Sequence, residues 1–385
     1  MSAALTSGSS WSDWLLGWRD RLLANPAFHR FASGFLLTRP IAHRHAREVF
    51  DLVAGFVYSQ VLAACVQLDL FKKLSQGPQS ISALARQFDM SVEAAERLLV
   101  AAESLRLVEK RGLTADGEQR YGLGMLGAPL VDNEAVIAMV RHHAALYADL
   151  TDPVALLRGR VRPSLSDYYP YTADEANAHA AEIAPEKVAN YSALMSASQP
   201  LVAAEILDAF SLAPHRHLLD VGGGEGRFLV SVAERAPHLK LSLFDLPPVA
   251  ANARVRFQNA GIADRVQAVG GNFLADELPV GADIISLVRI IHDHDDDRAL
   301  TILKAIRRAL PAGGTLLLAE PMSGTPGAEA MGDAYFGFYL LAMGRGQART
   351  AERLSELVRS SGFSNIRLLP TRIPLQVRLL TATAA

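Results

Sequence analysis

The spacing of apolar residues changes along the chain and divides it into a helical part and an alternating part. From about residue 45 to residue 210, apolar side chains recur mostly at helical spacing, as in REVFDLVAGFVYSQVLAACVQLDLFKKL. From about residue 215, short apolar runs alternate with helical stretches: HLLDV, LKLSLFDL, VQAVGGNF, ADIISLV, GTLLLAE and IRLLPTRI. This alternation is typical of a parallel sheet with helices on both faces, whose ligands lie beyond the carboxyl ends of the strands.

The first of these runs leads into a glycine-rich segment, HLLDVGGGEGRFLVSVAERAP, at residues 217–237. Four of the five positions from 222 to 226 are glycine. The apolar residues that follow recur at helical spacing: Phe228, Leu229, Val232 and Ala233. The glycines therefore lie at a strand-to-helix turn, where bare backbone can approach a nucleotide. The alternative is a turn that is merely tight.

Composition and charge narrow the class of protein. Half of the 385 residues are hydrophobic, which is enough for a sizeable core and two domains. The net charge of -2 argues against a nucleic-acid binder. The single cysteine, Cys65, lies in an apolar run and is expected to be an inert core thiol. No secretory signal is apparent and charged or polar residues interrupt the apolar stretches, so we expect a cytoplasmic protein without a transmembrane helix.

A winged-helix-like element is predicted in the segment SISALARQFDMSVEAAERLLVAAESLRLVEKRG and the following EQRYGLG. Such an element can bind DNA through its second helix. That helix, however, carries acidic and basic residues together: Glu93, Glu96, Arg97, Glu103 and Arg106. A mixed surface favours a structural or dimerising role over contact with phosphates.

The glycine turn does not match the dinucleotide-binding fingerprint. A dinucleotide fingerprint would need a third glycine at position 227, which is Arg. The turn is instead followed by LSLFDLPP, in which Asp245 ends the next strand and can accept both ribose hydroxyls. This pairing resembles that of S-adenosylmethionine-dependent methyltransferases. On that resemblance Gly222, Gly223, Gly224 and Asp245 bind the cofactor. In VGGNFL, Asn272 is expected near the adenine amine and Phe273 against its ring.

The later motifs extend the resemblance to a reaction. The ordered set D-V-G-G-G-x-G, F-D-L-P, G-x-F, I-H-D and L-P-x-G-G-x-L-L-L-x-E is similar to that of the plant and bacterial small-molecule O-methyltransferases. The similarity covers most of the chain. It implies that His292 is the general base, with Asp293 as its neighbour and Glu320 as the carboxylate that orients its ring. A metal site formed by residues 292–295 is the alternative, but consecutive loop residues seldom converge on one ion, so we expect no metal.

Three positions depart from the family pattern. His294 stands where Trp is usual, and Asn272 stands where Asp is common. Plant members carry a second Glu before an Arg-Thr pair, whereas the corresponding residue here is Ala348. None of these changes removes the base or the ribose ligand. Orientation of His292 is expected to depend on Glu320 alone.

The resemblance also implies a fold, three regions and a dimer. The fold is α/β: a C-terminal Rossmann-like methyltransferase domain preceded by a mostly helical domain with a winged-helix-like dimerisation element. The expected regions are an N-terminal arm at residues 1–40, the dimerisation domain at 41–205 and the cofactor-binding domain at 206–385. The chain is accordingly expected to form a homodimer.

A closer similarity concerns the substrate. The segment LLANPAFHRFASGFLLTRPIAHRHAREVFDLVAGFVYSQVLAACVQLDLF resembles the N-terminal region of the carotenoid O-methyltransferases of purple phototrophic bacteria. Those enzymes methylate the tertiary hydroxyl at the end of acyclic carotenoids. An apolar face would suit such a substrate: Met331, Phe336, Tyr339 and Met343. A packed core or a dimer helix explains this face equally well. Two rival functions stay open: a methyltransferase of phenols or polyketides, and a regulator that binds S-adenosylmethionine without catalysis.

All three tryptophans of the chain lie in WSDWLLGWRDRLL. Trp11, Trp14 and Trp18 follow the spacing i, i+3, i+7 and would form one stripe on a helix. Tryptophan favours the lipid–water boundary, so the stripe suggests peripheral contact with the inner or photosynthetic membrane. Packing of the arm on a partner subunit is an equal alternative, because Asp13 and Asp20 weaken attraction to anionic lipid.

Overall fold

The computed structural model describes residues 11–168, 198–374 and 376–385. The chain forms two compact units, Met1–Val131 and Asp132–Ala385. This division does not coincide with the boundary expected between residues 205 and 206. The reason is that helix Glu134–Asp149 packs within the second unit, where its Leu146 joins a buried cluster with Tyr339.

The first unit consists of helices and a small antiparallel sheet. Its helices are α1 (Trp11–Leu23), α2 (Pro26–Gly34), α3 (Arg39–Gln67), α4 (Leu70–Ser75), α5 (Ile81–Gln87) and α6 (Val92–Ser104). Its strands are β1 (Gln79–Ser80), β2 (Val108–Leu113) and β3 (Gln119–Leu123), in the order β1-β3-β2. Ser80 and Ser91 cap α5 and α6 by accepting from main-chain N–H groups, which fixes where these helices begin. Two capped helices followed by a hairpin form the predicted winged-helix-like element.

Helix α3 differs from the sequence expectation. By length and composition it is apolar enough to cross a membrane, and 17% of its most apolar window is buried. A single helix that meets this length and composition criterion does not by itself establish a span. Large apolar side chains are exposed along its middle: Val49, Phe50, Leu52, Val53 and Phe56. Cys65 near its end is buried, as expected, and burial raises the pKa of its thiol to about 12.

The second unit is an α/β domain. Its α-helices are α7 (Glu134–Asp149), α8 (Pro153–Leu157), α9 (Arg227–Arg235), α10 (Pro247–Asn259), α11 (Asp296–Ala309), α12 (Phe336–Met343) and α13 (Ala351–Ser360), and residues 198–209 are also helical. Its strands are β4 (His217–Val221), β5 (Lys240–Asp245), β6 (Val266–Gly270), β7 (Ile284–Val288), β8 (Thr315–Glu320), β9 (Phe363–Leu369) and β10 (Arg378–Ala384). They form one sheet in the order β6-β5-β4-β7-β8-β10-β9.

The sheet corrects one expectation. Strands β4 to β8 pair in parallel, as predicted, but β10 lies between β8 and β9 and is antiparallel to both. Its sequence, RLLTATA, has no continuous apolar run, so no local pattern predicts it as a strand. All the same it is largely buried, because it fills the space between two strands.

The glycine-rich turn joins β4 to α9, as the pattern predicted. The four apolar residues expected on the inner face of α9 are all buried: Phe228, Leu229, Val232 and Ala233. Gly226 precedes the helix with φ of 80°, and a Cβ there would lie 2.4 Å from the ring of Phe257. Only glycine therefore allows α9 to begin so close to α10.

Candidate active site

The turn after β4 is open on one side and closely packed on the other. Gly222 has φ of 71°, and a Cβ there would lie 2.5 Å from Cδ1 of Ile290. At Gly223 a Cβ would lie 2.4 Å from Oδ2 of Asp220. At Gly224, by contrast, it would meet no atom within 4 Å. The turn is thus a cradle of bare backbone with free space at Gly224.

Asp245 closes this turn from the end of the neighbouring strand. Its Oδ2 accepts from the N–H of Gly224 at 2.8 Å, and its Oδ1 accepts from the N–H of Leu246 at 2.7 Å. Burial raises the pKa of Asp245 to about 6, although both N–H donors act in the opposite direction. The carboxylate is therefore held at the glycine turn with oxygens that can accept further hydrogen bonds.

Asp220, the first residue of the D-V-G-G-G-x-G motif, lies against the glycine turn and has no role in the sequence predictions. Its side chain is fully buried, and Oδ1 accepts from Oγ of Ser286 at 2.6 Å. Its Oδ2 has no hydrogen-bond partner among the described residues. Burial raises the pKa of Asp220 to about 7. The neighbouring Asp245 also raises this pKa, whereas the hydrogen bond from Ser286 lowers it. An acid inside an otherwise apolar strand was the signal that could have identified it.

The two residues predicted for adenine have different surroundings. Phe273 lies beside the glycine turn, 3.6 Å from where a Cβ of Gly222 would be. Its ring meets that of His294 edge-on, with centroids 5.7 Å apart. The Oδ1 of Asn272 instead accepts from the N–H of Leu274 at 3.0 Å, within its own loop. The structure therefore brings Phe273 to the turn and uses Asn272 to shape the loop that carries it.

His292 lies in a short turn, Ile291–Asp293, that follows β7. Its Nδ1 is 2.5 Å from Oε2 of Glu320, at the end of β8. The other oxygen, Oε1, accepts from the N–H of Ile290 at 3.0 Å and of Ile291 at 2.7 Å. Adjacent parallel strands thus place the two predicted catalytic residues in contact. The acceptor at Nδ1 favours the tautomer whose Nε2 is available to take a proton.

Asp293 is the third predicted catalytic residue, and it contacts the same ring. Its Oδ1 lies 3.1 Å from Nε2 of His292. Burial lowers the pKa of His292, but Asp293 and Glu320 outweigh burial and raise it above the usual value, while Arg289 opposes them. The ring is therefore surrounded by groups that stabilise a proton once the ring has accepted it.

His294, at the position where Trp is usual, is buried. Its Nδ1 has no hydrogen-bond partner among the described residues. Burial, then Arg298 and His292, lowers the pKa of His294 to about 4, so it is neutral at pH 7. Its ring is an aromatic neighbour of Phe273, and its lower pKa makes it a weaker base than His292. The described residues contain no group of three or more His, Cys, Asp or Glu that could hold a metal ion.

The predicted apolar face begins in a π-helix and continues in the α-helix that follows it. Residues Ala330–Tyr335 form a π-helix, and the N–H of Phe336 donates to the carbonyl of Met331. The ring of Phe336 lies edge-on to His292, at a centroid distance of 6.1 Å. Tyr339 and Met343 are buried in a cluster with Leu146 and other residues of α7 and α8. Phe336 thus lies beside His292, whereas Met343 is a core residue.

Two histidines of α7 are hydrogen-bonded to tyrosines on this face, and the sequence predictions do not include them. His142 Nε2 is 2.9 Å from the hydroxyl of Tyr339, and His143 Nε2 is 2.8 Å from that of Tyr335. Burial lowers the pKa of His142 to about 4, and it also lowers the pKa of His143. The pairs join residues almost two hundred positions apart, so no local pattern could have indicated them.

The sheet order, with its antiparallel β10, and a glycine turn closed by an acid on the next strand define a class I S-adenosylmethionine-dependent methyltransferase. Two family profiles agree with the geometry. An O-methyltransferase domain matches residues 147–364, and an O-methyltransferase dimerisation domain matches residues 50–133. The chain belongs to the O-methyltransferase family.

Relatives of similar length support this membership. Demethylspheroidene O-methyltransferase of Cereibacter sphaeroides is 41% identical over 362 residues, covering 94% of this chain and 93% of the relative. The enzyme of the same name from Rhodobacter capsulatus is 35% identical over 347 residues, covering 90% and 84%. The crystal structure of human N-acetylserotonin methyltransferase in complex with S-adenosylmethionine has the same fold, with a TM-score of 0.73 at 22% identity, covering 88% and 97%.

These findings confirm the predicted fold class, enzyme class and cofactor. The chain is an S-adenosylmethionine-dependent O-methyltransferase. Its dimerisation domain supports the predicted homodimer. Exposed apolar residues of α3 lie inside the matched region, among them Phe50, Leu52, Val53 and Phe56.

Proposed function

We propose that this enzyme methylates the tertiary hydroxyl group of acyclic 1-hydroxycarotenoids, with His292 as general base. The observation that carries the chemistry is the contact between His292 and Glu320, in a site shared with the aromatic ring of Phe336. The substrate class is supported by two relatives of nearly full length, both named demethylspheroidene O-methyltransferases. S-adenosylmethionine supplies an electrophilic methyl group on a positively charged sulfur.

The residues around the glycine turn fit this cofactor. The unpartnered Oδ2 of Asp220 is suited to a cationic amino group, and the free space at Gly224 is suited to the ribose. Asp245 would accept from the ribose hydroxyls, and Phe273 would lie against adenine. Asn272 would contribute by shaping the loop that holds Phe273.

His292 would remove the hydroxyl proton during methyl transfer. A tertiary alcohol is far too weak an acid for imidazole to ionise beforehand, so the proton would move from oxygen to Nε2 as the new C–O bond forms. When bound, S-adenosylmethionine would supply the methyl group and keep the electron pair of the carbon–sulfur bond, so the step balances. Glu320 would hold Nδ1, and Asp293 would stabilise the resulting imidazolium. A general base typically contributes about 10²–10⁴-fold.

Positioning would supply the larger part of the rate enhancement. Holding oxygen, methyl carbon and sulfur in line can contribute roughly 7–11 kcal/mol. Phe336 is the side chain best placed to confine the substrate, because its ring is in contact with His292. Tyr339, whose ring centroid is 6.4 Å from that of Phe336, would extend an apolar wall away from the base together with the half-buried Met331. Met343 would support this wall from the core without touching substrate.

One assay tests this function against its rivals. The homodimer is incubated with labelled S-adenosylmethionine and either a 1-hydroxycarotenoid or a panel of phenols and polyketides, and product mass is followed. A methyl ether of the hydroxycarotenoid supports the proposal. Methylation of phenols alone would establish the rival substrate class. Cofactor binding without turnover of any substrate would instead favour a regulator.

We further propose that the enzyme is cytoplasmic and contacts the membrane at its periphery through α1. Trp11, Trp14 and Trp18 are all more than half exposed on this helix. A hydroxycarotenoid dissolves in lipid, so an enzyme that acts on it gains by binding at the lipid–water boundary. Contact of the same stripe with the partner subunit is the competing explanation.

A further inference from the structure

Arg349 is a buried guanidinium that contacts the turn carrying His292. Only 2% of the residue is exposed. Its Nη1 donates to the carbonyl of Ile291 at 2.9 Å, and its Nη2 donates to the carbonyl of His294 at 2.7 Å. These carbonyls flank the pair His292–Asp293, so one side chain spans both ends of the catalytic turn.

The residues just before Arg349 bind the same turn through the main chain. The N–H of Gln347 donates to the carbonyl of His292 at 2.8 Å. At Gly346, where φ is 112°, a Cβ would lie 2.6 Å from that carbonyl oxygen. Arg345 Nη1 is 3.1 Å from Oδ2 of Asp295. Residues 345–349 therefore lie directly against residues 291–295.

The chemistry of these contacts requires arginine. Nε of Arg349 is 2.7 Å from Oδ1 of Asp296, the first residue of α11, and Nη1 also donates to the carbonyl of Gln347 at 3.3 Å. A buried charge is tolerated only when it is paired and its donors are satisfied. The planar guanidinium satisfies this demand by reaching a carboxylate and several carbonyls at once, which the compact ammonium of lysine cannot do.

We propose that Arg349 is a positioning residue that fixes the main chain of the catalytic turn and so aims Nε2 of His292 at the substrate hydroxyl. Glu320 holds the ring at Nδ1, and Arg349 holds the backbone from the other side. His292 therefore does not depend on Glu320 alone, although Ala348 replaces the second glutamate of the plant enzymes. The inference rests on the proposed role of His292.

The test uses Arg349→Lys in the full-length dimer. Lysine keeps the positive charge but lacks the planar guanidinium with its several donors. The main chain of the catalytic turn should therefore be held less firmly, without a change in net charge. Arg353→Ala is the matched control, because Arg353 binds Oδ2 of the same Asp296 from the exposed surface. Asp296→Asn is a second variant, which weakens the anchor of Arg349 while leaving the guanidinium in place.

Three quantities are measured for each variant: kcat and KM with a 1-hydroxycarotenoid, cofactor affinity by calorimetry, and the pKa of His292 by NMR of labelled imidazole. The His292 signal is assigned by its loss in His292→Asn. In Arg349→Lys we expect kcat to fall on the order of 10²-fold, as for a small displacement of a reacting group. KM and cofactor affinity should be unchanged. The pKa of His292 should fall, because its ring moves away from Asp293 and Glu320, which raise it, while burial and Arg289 still lower it.

Asp296→Asn should change kcat and the His292 pKa in the same direction by less, and Arg353→Ala should resemble the wild type. The proposal would be overturned if Arg349→Lys and Asp296→Asn both had the same kcat and the same His292 pKa as the wild type. It would also be overturned if Arg353→Ala lowered kcat and the His292 pKa as much as Arg349→Lys does. If Arg349→Lys does not fold, Asp296→Asn decides alone. A wild type that fails to methylate the hydroxycarotenoid refutes the proposed substrate, whereas the titration of His292 still tests Arg349.

Discussion

Glu320 binds His292 in two ways at once. Its Oε2 is 2.5 Å from Nδ1 of the ring, while its Oε1 accepts from the main-chain N–H groups of Ile290 and Ile291. The same carboxylate thus holds the imidazole and the backbone that leads into it. Because all these contacts come from one fully buried side chain, the ring has little freedom to turn.

Loss of the His292 imidazole should lower kcat and leave the affinity for the cofactor unchanged. We expect His292→Ala to lower kcat by about 10²–10⁴-fold, the usual contribution of a general base. Affinity for S-adenosylmethionine, measured by calorimetry, should stay close to that of the wild type. His238→Ala is the control, because His238 is exposed. Wild-type turnover in His292→Ala would remove His292 from the mechanism.

The pH dependence of kcat/KM should reflect the effect of the neighbouring carboxylates on the pKa of His292. Only the neutral imidazole can accept a proton, and the raised pKa of His292 keeps it charged to a higher pH than a free imidazole. The acid limb of kcat/KM should therefore lie above pH 6.5. Asp293→Asn removes a group that raises this pKa, so the limb should move to lower pH. A limb that stays in place would show that Asp293 does not govern this ionisation.

Asp245 should matter for affinity more than for chemistry. Loss of a charged acceptor costs roughly 1.5–3 kcal/mol of binding, so Asp245→Ala should weaken cofactor binding by about 10- to 100-fold. Calorimetric titration with S-adenosylmethionine measures the change. Asp264→Ala, at an exposed position, controls for the loss of charge. Equal affinities of Asp245→Ala and wild type would place the ribose site elsewhere.

Gly346 should be irreplaceable, because it combines a left-handed backbone with a close contact. Its φ is 112°, and a methyl group there would press on the carbonyl of His292. Gly346→Ala should therefore lower both the melting temperature and kcat, since such backbone strain costs on the order of 1–3 kcal/mol. Gly337→Ala is the matched control, because a Cβ there meets nothing within 4 Å. Similar behaviour of both variants would contradict the prediction.

The N-terminal stripe can be tested by deletion. Removal of residues 1–25 should reduce binding to phospholipid vesicles and activity on carotenoid in liposomes, because Trp11, Trp14 and Trp18 are lost. Binding of S-adenosylmethionine should be retained. The protein should also stay a dimer, as measured by light scattering. A truncated protein that stays on vesicles but dissociates into monomers would show that the stripe is a subunit contact.

Local sequence predicted the features whose cause is local. The alternation of apolar runs and helical stretches identified strands β4 to β9, and the glycines of residues 222–226 marked the turn after β4. Both are consequences of short-range periodicity and backbone freedom, which neighbouring residues specify. The contact between His292 and Glu320 was expected from family resemblance, and the structure agrees because β7 and β8 are adjacent parallel strands.

Other features depend on contacts between distant segments. Strand β10 is a strand because it fits between β8 and β9, and its own residues alternate too weakly to indicate this. The burial of Met343, the pairing of His143 with Tyr335 and the contact of Arg349 with Ile291 each join segments far apart in the sequence. Which side chains meet in this way is decided by packing and by the need to satisfy buried polar groups, and neither is specified by neighbouring residues.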